Sequence, residues 1–143
     1  MQEFVFVRKN FRYEKIKFSE LIFVKGMRGY MQLVTESQIY FVLNTMEEVQ
    51  KYLPKELFCR THRSYIVALE RIQSFDNFKL YLYPPLEGKQ YGPVLARLQE
   101  LPVGKAFRKK LRESISIIPN RMGQKTKVIK HAEFVLEYQL EEE

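Results

Sequence analysis

The sequence predicts a mainly β domain, an elongated antiparallel β-sheet with one short central helix and one helix towards the C-terminus. Short runs rich in Phe, Tyr, Val and Ile alternate with turn formers through most of the chain, as strands do. Two segments break that pattern with helical spacing, one around Met46, Val49 and Leu53 and one around Phe107, Leu111 and Ile115. A length of 143 residues, 45% of them hydrophobic and including 11 Phe and 9 Tyr, is about one domain with enough apolar surface for a core.

From the N-terminus, residues 4–7, 13–18, 21–24, 30–34 and 39–43 read as strands of an antiparallel meander. Lys9-Asn10, Lys25-Gly26, Arg28-Gly29 and Glu36-Ser37 separate them. Thr45-Met46-Glu47-Glu48 has the form of a capping box, in which the Thr hydroxyl accepts the backbone N–H of Glu48. A helix of about two turns is expected there, ended by Pro54. Residues 58–62, 65–69, 71–75 and 78–83 return to strands, with Asp76-Asn77 as a hairpin turn. The stretch 84–100, with Pro84-Pro85, Gly88 and Gly92-Pro93, reads as a long loop. Residues 104–115 read as a helix whose Phe107, Leu111 and Ile115 face the core. Residues 119–126 read as a linker, and 127–140 fit a strand or a helix equally well.

Charge narrows the function. There are 24 basic and 17 acidic side chains, a net +7, and the excess is focused: residues 104–130 carry nine basic side chains against Glu113 alone. A focused block of this kind suits a polyanionic partner. The last thirteen residues carry five acids and no Lys or Arg, a solvated terminus in the simpler reading and a mask for the basic face in the other. No apolar run approaches the roughly 20 residues of a membrane span, and the start is unlike a secretory signal, so a cytoplasmic protein without membrane contact is expected.

Catalysis and metal binding are poorly provided for. One cysteine, Cys59, and two histidines, His62 and His131, do not make a disulfide framework or a Cys/His zinc site. Cys59 and His62 are an odd number apart on a strand, which places them on opposite faces and argues against a dyad. No Gly-rich phosphate loop is present. The expectation is a non-enzyme with no cofactor and no small-molecule substrate.

The informative segment is Arg60-Thr61-His62-Arg63-Ser64, polar groups gathered between the apolar Phe58 and Tyr65-Ile66-Val67. An arginine in such a corner matches the O6/N7 edge of guanine or a phosphate. His62 reads first as a structural residue that satisfies backbone groups there. The run Phe58-x-Arg60-x-His62-Arg63-Ser64-Tyr65-Ile66-Val67-x-Leu69 closely resembles the signature of the LytTR-type DNA-binding domains of bacterial transcription regulators. Leu21-Ile22-Phe23-Val24 with Gly29-Tyr30, and Leu101-Pro102-Val103 leading into Phe107-Arg108-Lys109-Lys110-Leu111, resemble its flanking elements.

The resemblance covers residues 4–117, with 84–100 longer than the family's usual connection and 118–143 left as a linker and acidic extension. It implies a transcription regulator of the response-regulator, two-component kind, standing alone or as part of a longer regulator, which reads double-stranded DNA with loops in successive major grooves, often at paired direct repeats, and allows a homodimer on DNA. Arg63 matches a base-contacting position, residues 27–31 the first DNA-facing loop and residues 104–107 the second. The implied DNA-binding residues are Arg63, Arg28, Lys105, Arg108, His62, Arg60 and Lys109. Ala68, Gly104 and Ala106 depart from the family's usual residues, so the second loop is expected to read fewer bases. Two rival readings stay open. One is a single-stranded RNA or DNA binder that stacks bases on Tyr13, Tyr30, Tyr40 and Tyr81, and the other is a protein-interaction module.

Overall fold

The computed structural model describes residues 2–83, 100–120 and 125–131. Ten strands appear among them: β1 (Phe4–Lys9), β2 (Arg12–Lys17), β3 (Leu21–Gly26), β4 (Met31–Thr35), β5 (Ile39–Val42), β6 (Phe58–His62), β7 (Tyr65–Ala68), β8 (Ile72–Phe75), β9 (Lys79–Leu82) and β10 (Glu100–Pro102). Helix α1 (Met46–Gln50) follows β5, and α2 (Arg108–Glu113) follows β10 through a 3-10 turn at Lys105–Phe107. The expected long loop lies outside the described residues apart from Glu100, which opens β10. Most of the acidic extension lies outside them too.

The strands form a β1-β2 hairpin, a five-stranded sheet ordered β5-β4-β3-β7-β6 and a three-stranded sheet ordered β10-β9-β8, with antiparallel pairing throughout. The expected meander holds within β1-β2 and within β3-β4-β5 and breaks between β2 and β3. A 3-10 turn at Phe18–Glu20 separates β2 from β3, and the free side of β3 is taken by β7, more than forty residues later. The turns themselves sit where their residues demand. Asn10 takes the left-handed φ of 57° in the first hairpin, and Thr35 closes the β4–β5 turn by accepting the Gln38 N–H and donating to the Gln38 carbonyl. Asp76 Oδ1 accepts from the N–H groups of Phe78 (2.7 Å) and Lys79 (2.9 Å).

The five-stranded sheet is covered on both faces, which explains why β3 and β7 read as nearly continuous apolar runs. Ile16, Phe18, Met46, Val49, Leu53, Phe58 and Ile66 pack on one face, under the β1-β2 hairpin and α1. Cys59, Val67, Leu80, Leu82, Leu101 and Leu111 pack on the other, under the three-stranded sheet and α2. A bulge in β3 between Leu21 and Phe23 turns the successive residues Ile22 and Phe23 to that same second face.

Helix α1 starts as its cap predicts, with the Glu48 N–H donating to Thr45 Oγ1 at 3.2 Å. Glu48 itself accepts from the Asn44 amide at 2.8 Å. The segment expected as one helix over 104–115 is tighter at its start. Gly104 supplies no side-chain cap, and the Phe107 N–H donates to the Gly104 carbonyl at 2.9 Å, giving a 3-10 turn before α2 begins.

Candidate nucleic-acid interface

Three turns meet at one end of the five-stranded sheet, and backbone hydrogen bonds hold them in relation. Between β3 and β4, the Met27 N–H donates to the Tyr30 carbonyl at 2.9 Å, with Gly29 at a φ of 79° that disfavours a side chain. The Gly26 N–H at the end of β3 donates to the Ser64 carbonyl at 2.7 Å, which ties this turn to the β6–β7 corner. On the other flank, the Gly104 N–H donates to the Thr61 carbonyl at 2.8 Å and brings in the segment before α2. Arg28, Arg63 and Lys105 are exposed on the three turns. Among the described residues no carboxylate lies within ion-pair distance to compensate their charge, and the three side chains are exposed to solvent.

The corner that carries Arg63 is built by a bulge. Arg60 opposes Ile66 and His62 opposes Tyr65, leaving Thr61 as the extra, fully buried residue. His62 therefore shares a face with Tyr65, their rings 5.7 Å apart edge to face. The bulge also overturns the parity argument about Cys59: Cys59 opposes Val67 and lies on that same face. A dyad is disfavoured for a different reason. Burial pushes the Cys59 thiol up, and its hydrogen-bonding neighbours are the Arg60 carbonyl and the Ser114 hydroxyl.

His62 Nδ1 accepts the Ser64 N–H at 3.0 Å, so the neutral ring carries its proton on Nε2 and the tip of the turn is fixed from within. Burial first, and then the positive charge of Arg63 and Arg60, hold its pKa below the usual histidine value. The folded state thus resists protonation more than the unfolded chain does. The stability contributed by neutral His62 is complete above the unfolded pKa of about 6.5 and is lost as pH falls through the folded value. Thermal melts between about pH 7.5 and 5 should show an acid-side loss that His62→Gln reduces; identical pH profiles would exclude this role.

The remaining sequence-predicted residues fall into two groups. Lys109 is exposed on α2, 3.9 Å from Glu113 one turn on, an ion pair of little energetic weight. Arg60 and Arg108, in contrast, are engaged within the protein. Arg108 Nε donates to the Asn77 carbonyl at 2.6 Å, and its guanidinium lies 4.9 Å from the centre of the Phe78 ring. Arg112 donates to Asn77 Oδ1 at 3.1 Å, so two arginines of α2 fasten the β8–β9 turn. Arg60 donates to Glu47 Oε1 at 3.2 Å and to the Arg63 carbonyl at 2.7 Å. Sequence reasoning missed Glu47 and Asn77. No local signal marks them, because their arginine partners lie 13 and more than thirty residues away.

The LytTr DNA-binding domain family model matches residues 12–116, which contain the whole five-stranded sheet and all three turns. The chain belongs to the LytTr DNA-binding domain family. LytTr domains are DNA-binding domains of transcription regulators. A curated relative, the sensory transduction protein LytR of Staphylococcus epidermidis, is 31% identical over 68 residues. That match spans 48% of this chain and 27% of that protein. The fold is shared with the LytTr DNA-binding domain of a Bacillus cereus protein described as a methyl-accepting/DNA response regulator. Its TM-score is 0.58 at 18% identity, covering 80% of this chain and 97% of that one. Among the described residues of this LytTr domain, no cluster of His, Cys, Asp and Glu could hold a metal ion. None of their helices is long and apolar enough to cross a membrane.

Proposed function

We propose that this LytTr domain binds double-stranded DNA sequence-specifically in the bacterial cytoplasm, as the output domain of a response regulator. In this reading, Arg63 and Arg28 enter major grooves, while Lys105, Lys109 and neighbouring cations lie along phosphates. Paired direct repeats, each read by one copy, are the expected target, with a homodimer assembled on the DNA. The observation that carries the reading is the convergence of Arg28, Arg63 and Lys105 on three hydrogen-bonded turns at one end of the five-stranded sheet.

Phosphate contacts hold the protein in register, and base edges supply discrimination. Arg63→Ala is therefore expected to cost about 1 to 3 kcal/mol, roughly 5- to 150-fold in affinity, and to relax preference at one base pair. Sites selected from a random duplex library by the wild-type protein, then competed against single-base variants of those sites, measure both effects. An Arg63→Ala protein with unchanged affinity and unchanged base preference sinks the assignment of Arg63.

The single-strand reading needs neighbouring aromatic faces on which bases stack. Its four tyrosines are divided among the three separate sheets and the β3–β4 turn. Tyr13 lies in the β1-β2 hairpin and Tyr81 in the three-stranded sheet, while the Tyr40 hydroxyl donates to Glu14 at 3.0 Å and Tyr30 packs on Phe41 at 5.8 Å. This favours the duplex, and competition between duplex and single-stranded oligonucleotides separates the two. The segments invoked for a protein-interaction module fall largely outside the described residues.

A further inference from the structure

We propose that Arg60 is a positioning residue, which sets the direction in which Arg63 leaves the β6–β7 corner and couples that corner to the turn bearing Lys105. The inference rests on the reading of Arg63 as a DNA contact and adds to it a residue that acts without touching DNA.

The side chain of Arg60 is only 16% exposed, unlike that of a phosphate-contacting arginine on a surface. Its Nε is buried with no hydrogen-bond partner among the described residues, so the guanidinium is held through its two terminal nitrogens. One donates to the Arg63 carbonyl at 2.7 Å and the other to Glu47 on α1 at 3.2 Å. The guanidinium also lies 5.5 Å from the centre of the Phe107 ring, in the turn that starts with Lys105. One planar group thereby joins α1, the corner of Arg63 and the segment before α2. The Glu47 carboxyl is held below the usual glutamate pKa by its own backbone N–H first and by Arg60 second.

The consequence is a corner whose backbone is anchored at successive residues. The Arg63 carbonyl is held by Arg60, the Ser64 N–H by His62 and the Ser64 carbonyl by Gly26. A side chain that reads a base must be held within roughly half an ångström of its productive position. Fixing the peptide of Arg63 supplies that constraint. A lysine at position 60 keeps a positive charge near Glu47 but lacks the planar fork that spans both acceptors while lying beside the Phe107 ring.

The test uses the full chain with a duplex selected by the wild-type protein from a random library, and the same duplex altered at single base pairs. Arg60→Gln is expected to reduce discrimination at the Arg63-dependent base pair by about tenfold while leaving the salt dependence of binding unchanged. In an Arg63→Ala background the same change is expected to remove no further discrimination, because Arg60 acts through Arg63. Arg60→Lys should recover less than half of the lost discrimination.

A salt slope shallower by about one, or an equal loss in both backgrounds, would mean that Arg60 touches DNA directly, and would overturn the proposal. Reduced thermal stability with full discrimination would reduce Arg60 to a structural residue and overturn it as well. If Arg60→Gln does not fold, Glu47→Gln decides. Removing one anchor at an exposed carboxylate should lower discrimination at that same base pair, and no change there overturns the proposal. An Arg63→Ala protein that discriminates normally defeats the underlying reading instead, which leaves Arg60 nothing to position.

Discussion

Raising monovalent salt from about 50 to about 200 mM is expected to weaken duplex binding about a thousandfold, measured as a log K against log[salt] slope near −5. The slope follows from about six phosphates, each neutralised by one cation that displaces a condensed counterion. The chain has the charge for this, with nine basic side chains and one acid between residues 104 and 130. The structure divides those cations by their availability. Arg108 and Arg112 are fastened to Asn77, whereas Lys105, Lys109 and Lys110 are exposed, as are Arg28 and Arg63 at the same end. Lys109→Ala should accordingly weaken all sequences alike and make the slope shallower by about one. A slope near zero would mean that backbone neutralisation does not drive binding, and would remove the electrostatic half of the proposed function.

Leu111→Ala is expected to cost about 2 to 5 kcal/mol of stability, a large share of the 5 to 15 kcal/mol typical of a domain. Leu111 is 1% exposed and packs α2 into the cluster that includes Cys59, Val67 and Leu101. Truncation leaves a cavity between the helix and the sheet, in a place where α2 is only six residues long and has no side-chain N-cap. The change should also loosen the turn that bears Lys105, since Gly104 to Phe107 runs directly into α2. Urea unfolding measures the loss, with a lowered midpoint at an unchanged m-value. A change below about 1 kcal/mol would mean that α2 does not depend on this contact.

Local patterns were legible because they report local physics. Thr45 predicted the start of α1, since a hydroxyl three residues before an N–H is a short-range arrangement. Asp76-Asn77 predicted the β8–β9 turn on the same basis. Of the apolar stripe Phe107, Leu111 and Ile115, Leu111 is buried in α2 and Ile115 packs on the same cluster, whereas Phe107 stands half-buried in the 3-10 turn before the helix, beside the Arg60 guanidinium. The cation-bearing turns at Arg28, Arg63 and Lys105 were legible chiefly through the resemblance of the Arg60-Thr61-His62-Arg63-Ser64 region to a known signature.

One reading failed and another held only in part. Alternation along a strand assigns faces only while the ladder is regular, and the bulge at Thr61 resets the count, so Cys59 and His62 come to the same face. The meander holds within β1-β2 and within β3-β4-β5, but the free side of β3 goes to β7 and not to β2, because both β3 and β7 are apolar on two faces and only inner positions of the sheet bury both.

By itself, the amino-acid order determined the strand-rich class, the caps and turns, and the concentration of positive charge. Each of these follows from residues within a few positions of one another. Tertiary structure alone decided which cations are available to a partner. Arg60 and Arg63 are near neighbours of the same residue type, but a carboxylate 13 positions upstream and a carbonyl across the bulge capture the first, while the second is left at the tip of the turn facing solvent. Competition for an arginine's donors is settled by whichever acceptors folding brings within hydrogen-bond distance, and chain order carries no direct record of that distance.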